Sequence, residues 1–142
     1  MRYLLDTNVL SELRRKKGEP RVKAWVSAQA SGELAISVVT VIELEVGIRR
    51  HARKDPVQGL ALERWFMERV LTAFADRILP LDLAAARHIV PLHIPDPAPS
   101  HDALIAGTAL AHRLTVVTRN TADFERTGVE VLNPWAEPVR IT

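Results

Sequence analysis

The pattern that most restricts this chain is an alternation of short apolar runs with longer stretches of helical period. Residues 2–5 (Arg-Tyr-Leu-Leu), 34–38 (Leu-Ala-Ile-Ser-Val), 115–118 (Thr-Val-Val-Thr) and 129–132 (Val-Glu-Val-Leu) have the length and apolar content of buried strands. Between them, apolar residues return every three or four positions. Val9, Leu10 and Leu13 follow the first run, and Val22, Trp25, Val26 and Ala30 follow Pro20. Val41, Leu44 and Ile48 mark a helix over 40–52, and Leu62, Trp65, Phe66, Val70, Leu71 and Phe74 a longer one over 60–75. The spacing predicts further helices over 83–92 and 101–113, and leaves 78–81 as a short strand or edge segment. Gly18 and Asp55-Pro56 interrupt the periodic stretches, and the four prolines within 91–100 predict a loop. Strands alternating with helices predict an α/β fold, a parallel sheet with helices on both faces. No repeat or linker divides the chain, so a single domain over 1–142 is expected.

A chain of 142 residues can bury roughly 68% of its unfolded surface, enough for a core without a structural metal or disulfide. It has no cysteine, which excludes disulfide frameworks, zinc–thiolate sites, iron–sulfur clusters and thiol nucleophiles. Only three apolar residues precede Asp6 beyond Arg2, against the run of about 7–15 that a secretory leader needs. No apolar run approaches the roughly 18 residues of a membrane span. The expectation is a soluble, cytoplasmic protein with no membrane contact. Net charge is only +2, but Arg14, Arg15, Lys16, Lys17, Arg21 and Lys23 cluster, as do Arg49, Arg50, His51, Arg53 and Lys54. Each cluster reads equally as a solvated face or as a surface that meets phosphates.

Acidic and amide residues fall at informative places. Asp6 directly follows the first strand, Glu43 lies in the first turn of the helix after the second, and Asp102 opens the helix before the third. Asn120 follows that third strand, with Asp123 three residues on. Open parallel sheets bind ligands at the carboxyl ends of their strands, where the strand order reverses. Carboxylates gathered there repel one another unless a cation is bound, and oxygen donors without His or Cys select Mg²⁺ or Mn²⁺. Each residue also has a purely structural reading. Asp6 can cap a helix, Thr40 and Glu43 have the spacing of a capping box, and Asp102 and Asp123 suit helix N-termini.

The segments Leu4-Leu5-Asp6-Thr7-Asn8-Val9-Leu10-Ser11-Glu12, Thr40-Val41-Ile42-Glu43-Leu44 with Gly47, and Asp102-Ala103-Leu104-Ile105-Ala106-Gly107-Thr108-Ala109 run in order along the chain. Val116-Val117-Thr118-Arg119-Asn120-Thr121-Ala122-Asp123-Phe124 and Val131-Leu132-Asn133-Pro134-Trp135 complete the series. Together they resemble the PIN-domain ribonucleases, in particular the FitB-like VapC-type toxins of bacterial toxin–antitoxin pairs. The resemblance implies a PIN-like three-layer sandwich with a central parallel sheet of four or five strands. It implies that Asp6, Glu43 and Asp102 bind the metal and that the fourth acidic position falls at Asn120 or Asp123, where this chain departs by carrying Asn120. Thr7 and Thr118 are implied to bond the carboxylates or metal-bound waters.

The activity implied is Mg²⁺- or Mn²⁺-dependent hydrolysis of a structured RNA, commonly tRNA, with inhibition of translation. The partners implied are a VapB-type antitoxin, operator DNA reached only through that antitoxin, and a second copy of the chain. The helices around Trp65 and Phe66 are candidates for the homodimer contact, and Arg14, Arg15, Arg49 and Arg50 for contacts to the RNA backbone. His101, beside Asp102, reads as a phosphate contact, a general acid or an incidental surface residue. A receiver or haloacid-dehalogenase-like phosphotransfer domain is a poor rival, since Asp6-Thr7-Asn8 supplies neither adjacent acids nor Asp-x-Asp. The remaining alternative is a catalytically weak PIN-fold module that acts with an antitoxin on DNA.

Overall fold

A computed structural model describes residues 1–136. Five strands form one sheet: β1 (Tyr3–Leu5), β2 (Leu34–Ser37), β3 (Ile78–Leu79), β4 (Thr115–Val117) and β5 (Val131–Leu132). Their order is β3-β2-β1-β4-β5 and every pairing is parallel. The chain builds outward from β1 through β2 to β3, then crosses back to lay β4 on the other side of β1. The strand order therefore reverses at the β1/β4 boundary, which opens a crevice at the carboxyl ends of those two strands.

Side chains alternate across the sheet, as the pleat requires. Leu4 lies between Ala35 and Val116 in register, and all three are fully buried in one layer with Ile105, Ala106, Ala109 and Phe124. Leu5, Ile36 and Val117 face the opposite layer with Val9, Leu10, Val22, Leu44 and Phe66. The helices divide accordingly. One face carries α1 (Thr7–Arg14), α2 (Pro20–Ala28), α3 (Val38–Lys54), α4 (Pro56–Trp65) and the short α5 (Leu71–Ala73). The other carries α6 (Leu83–Ile89), α7 (Ser100–His112) and a 3₁₀ segment, Thr121–Thr127. This is the expected three-layer sandwich, with 78–81 contributing a two-residue strand. No helix among the described residues is long and apolar enough to cross a membrane.

Several boundaries differ from those the sequence predicts. The helix expected over 40–52 begins at Val38, because Ser37 Oγ accepts from Val39 N at 3.0 Å and caps it. Thr40 is thus inside α3, no capping box forms, and Glu43 sits in the second turn rather than the first. Ser100 is the first residue of α7, not its cap; Pro99 precedes the helix without a side-chain bond. The helix expected over 60–75 starts earlier, at Pro56, and passes through a π-helical turn, Phe66–Val70, before α5. The helix over 83–92 tightens into a 3₁₀ turn, Val90–His93. The final strand is two residues long rather than four.

Candidate active site

The crevice at the β1/β4 boundary is a cleft of about 400 Å³. Asp6, Glu43, Asp102 and Asn120 all line it, so the structure brings these four expected residues together. Asp6 is placed by two elements at once. It ends β1, where its backbone N–H donates to the Val117 carbonyl at 2.9 Å, and it caps α1 by accepting from Thr7 N at 2.8 Å. Its other oxygen accepts from the Thr118 hydroxyl at 2.8 Å, and Asn8 Nδ2 stands 3.4 Å away. Glu43 reaches the cleft from the β2 side of β1, where Thr7 Oγ1 donates to its Oε1 at 3.0 Å. Its Oε2 lies 3.3 Å from His101 Nδ1. Asp102 arrives from the opposite layer, in the first turn of α7.

These acids are crowded. Burial pushes the Asp6 carboxyl above the ordinary carboxylate range, against the pull of the Thr118 and Thr7 donors, and the charges of Glu43 and Asp123 add to the rise. Asp102 is pushed up to about 6, first by burial and then by Asp123, Asp6 and Glu43, with His101 acting in the other direction. Asp123 is exposed and does not line the cleft, yet its charge is felt by both the buried Asp6 and the partly buried Asp102. Asn120 does line it, and its N–H donates to Thr118 Oγ1 at 3.0 Å.

Among the described residues, no three acids or histidines are already drawn in around one point where an ion would sit. The donor set nevertheless fits a hard, hydrated cation. The carboxylates of Asp6, Glu43 and Asp102 and the Asn120 amide offer oxygen, and Mg²⁺ typically keeps several waters and takes only one or two carboxylates directly. Acids that share one cleft without closing around a single point match that mode of binding better than a close cage would.

The cleft also holds residues that the sequence pattern does not single out. Glu12, buried and 3.8 Å from Arg15, lines it, as do Asn8, Ser11, Arg119 and Trp135. The helical period does set Ser11 and Glu12 one turn from Asn8, so the first helix carried a usable signal; Arg119 and Trp135 carried none. Of the four arginines expected near the RNA, only Arg15 is at the cleft. Arg14 lines a separate groove with Arg64 and Arg69, and Arg49 pairs with Glu45 at 3.3 Å along α3. In the helices expected to form a dimer contact, Phe66 is 2% exposed and belongs to the core, Trp65 beside it is half-buried, and Leu60 and Met67 are exposed.

A parallel sheet covered on both faces, with acids gathered at its switch point, defines an α/β domain with an acidic cleft, and comparison with known proteins makes the class specific. The PIN domain family matches residues 3–130. The chain is 36% identical over 144 residues to the VapC ribonuclease Y4jK of Sinorhizobium fredii, covering 93% of this chain and 96% of that protein. It is 38% identical over 140 residues to the toxin FitB of Neisseria gonorrhoeae, covering 93% and 97%. The crystal structure of FitAcB from the same organism superposes with a TM-score of 0.87 at 34% identity, over 95% of this chain and 99% of that one. The chain belongs to the PIN domain family.

Proposed function

We propose that this chain is a divalent-metal-dependent endoribonuclease and the toxin of a type II toxin–antitoxin pair. The observation that carries the reading is the buried Asp6, fixed at the switch point and sharing one cleft with Glu43 and Asp102. The similarity to a VapC ribonuclease and to the FitB toxin supports both the reaction and the biological role. Asp6, Glu43 and Asp102 would hold Mg²⁺, or Mn²⁺ in its place, which supplies a Lewis acid and an activated water.

The chain's own residues do the rest. Thr118 and Thr7 orient the Asp6 carboxylate, and Thr7 does the same for Glu43. The Asn120 amide borders the cleft and can position a water, while Asp123 adds negative charge from outside it. The substrate class is structured RNA, tRNA foremost, cut where bases are unstacked and accessible. The antitoxin partner, operator DNA reached through it, and a homodimer follow from the family resemblance.

The test is cleavage of total cellular RNA by antitoxin-free protein with Mg²⁺ or Mn²⁺, beside an EDTA control and the Asp6→Asn variant. Discrete metal-dependent fragments are expected from the wild type. The variant, folded as judged by circular dichroism, should be at least about 100-fold slower. A folded variant that cleaves at the wild-type rate removes Asp6 from the mechanism. No cleavage with any metal, together with no Mn²⁺ binding that depends on Asp102, leaves a catalytically weak PIN-fold module that acts with an antitoxin on DNA.

A further inference from the structure

Beside the acids, the same cleft carries a second kind of chemistry. Sheet order places Glu43 on the β2 side of β1, and Arg119, Asn120 and Trp135 on the β4 side, where they follow β4 and β5. The Arg119 guanidinium lies over the Trp135 ring, 5.6 Å from its centroid. Among the described residues it makes no ion pair, although Arg119 is exposed beside a cluster of carboxylates.

The platform is held rigidly. Trp135 N donates to Asn133 Oδ1 at 2.9 Å, the Trp135 carbonyl accepts from Arg21 Nη1 at 3.1 Å, and the ring packs against the core. The start of the Arg119 loop is tied to α1 by Arg119 N, which faces Asn8 Oδ1 at 3.4 Å. Arg15, exposed at the end of α1, completes the cationic side; its contact with Glu12, at 3.8 Å, is too long for a hydrogen bond.

We propose that Arg119, Trp135 and Arg15 form a nucleotide subsite beside the acids of this cleft. An unstacked base lies flat against the Arg119–Trp135 pair, and Arg15 takes an adjoining phosphate. Arginine planes and aromatic rings are the surfaces on which proteins stack splayed bases. A single-stranded nucleic acid alternates flat bases with phosphates, which matches a flat cationic surface beside a separate guanidinium. An acidic peptide would match the charges and leave the stacking surface unused. The inference rests on the nuclease reading and deepens it: these residues set which nucleotide lies beside the scissile bond.

The test is fluorescence anisotropy with a 5′-fluorescein-labelled, eight-nucleotide single-stranded RNA in Ca²⁺, using the full chain. Trp135→Ala and Arg119→Ala should each weaken binding about tenfold, and Trp135→Phe should retain most of it. Arg15→Ala should lower the salt dependence of binding by about one phosphate contact. Moving one abasic residue along the oligonucleotide should weaken wild-type binding at one position and leave the already weakened Trp135→Ala variant unaffected. In cleavage assays the two alanine variants should raise KM with little change in kcat. Wild-type-like binding by Trp135→Ala and Arg119→Ala overturns the proposal, as does an RNA that the wild type does not bind. It also falls if Trp135→Phe loses as much binding as Trp135→Ala while the melting temperature drops in parallel, since the ring is then only packing. None of these outcomes touches the nuclease reading, which stands or falls on metal-dependent cleavage lost in Asp6→Asn.

Discussion

At the scale of single residues, the cleft depends on one hydroxyl. Thr118 Oγ1 is fully buried; it donates to Asp6 at 2.8 Å and accepts from Asn120 N at 3.0 Å and from Asn8 Nδ2 at 3.2 Å. It thus joins the carboxylate to the loop after β4 and to the first turn of α1. Thr118→Val keeps the shape but strips the donor from a buried acid and leaves the Asn120 N–H without its acceptor. Unpaired buried polar groups cost about 1–3 kcal/mol, so a loss of stability of that order is expected in urea unfolding. Cleavage should fall at least about tenfold with the metal saturating, because Asp6 is no longer held in one orientation. Asp6 itself was legible because its signals are local: an apolar strand, then a carboxylate, then a helix. Thr118 was reached through family resemblance, since its role depends on a partner 112 residues away in the chain.

At the scale of elements, the sequence located the strands and helices but misplaced several ends. The run 34–38 reads as one strand because Val38 continues its apolar content, yet the strand stops at Ser37, whose hydroxyl starts α3. That shift moves Glu43 from the first into the second turn of its helix without taking it out of the cleft, where Thr7 Oγ1 still donates to it at 3.0 Å. The π turn at Phe66–Val70 has no marker in the sequence, as neither proline nor glycine falls there and both Phe66 and Val70 are buried at helical spacing. A glycine fixes the other layer. A Cβ on Gly107 of α7 would overlap the Ile89 side chain and approach its backbone to 3.0 Å. The two helices therefore touch backbone to backbone, and Asp102 is carried into place by the helix so seated. Gly107→Ala should cost about 1–3 kcal/mol through forced separation, despite alanine's higher helix propensity. Thermal melting of the variant checks this; an unchanged or raised midpoint would show that α6 yields without strain.

At the scale of the whole molecule, the site exists because of topology. Asp6 and Asn120 follow the adjacent strands β1 and β4, Glu43 belongs to the layer on one face of the sheet and Asp102 to the layer on the other. No periodicity in the sequence says that α7 arrives at that edge, which is why Asp102 was placed by resemblance and not by pattern. Convergence from two layers also means that folding itself brings the negative charges together. Asp102 holds its proton more tightly in the folded chain, with its pKa raised from 3.8 to about 6, and Asp6 shifts in the same direction. The contribution of such a group favours folding at pH below the unfolded value and is lost as pH rises through the folded one. In the metal-free protein this loss begins near pH 4 and is complete about a unit above pH 6, so its last part falls between pH 5.5 and 7.5 and melting in EDTA should be higher at pH 5.5. A difference on the order of 1–2 °C is expected, since Asp102 is partly solvated and the repulsion screened. A divalent cation competes with those protons, so Mg²⁺ should raise the melting temperature more at pH 7.5 than at pH 5.5. Asp102→Asn removes both the proton and its charge, and should flatten the pH dependence and weaken the Mg²⁺ effect together. If the variant keeps the full pH slope, the acids do not share a field, and the cleft is a neighbourhood of separate carboxylates instead of one metal site.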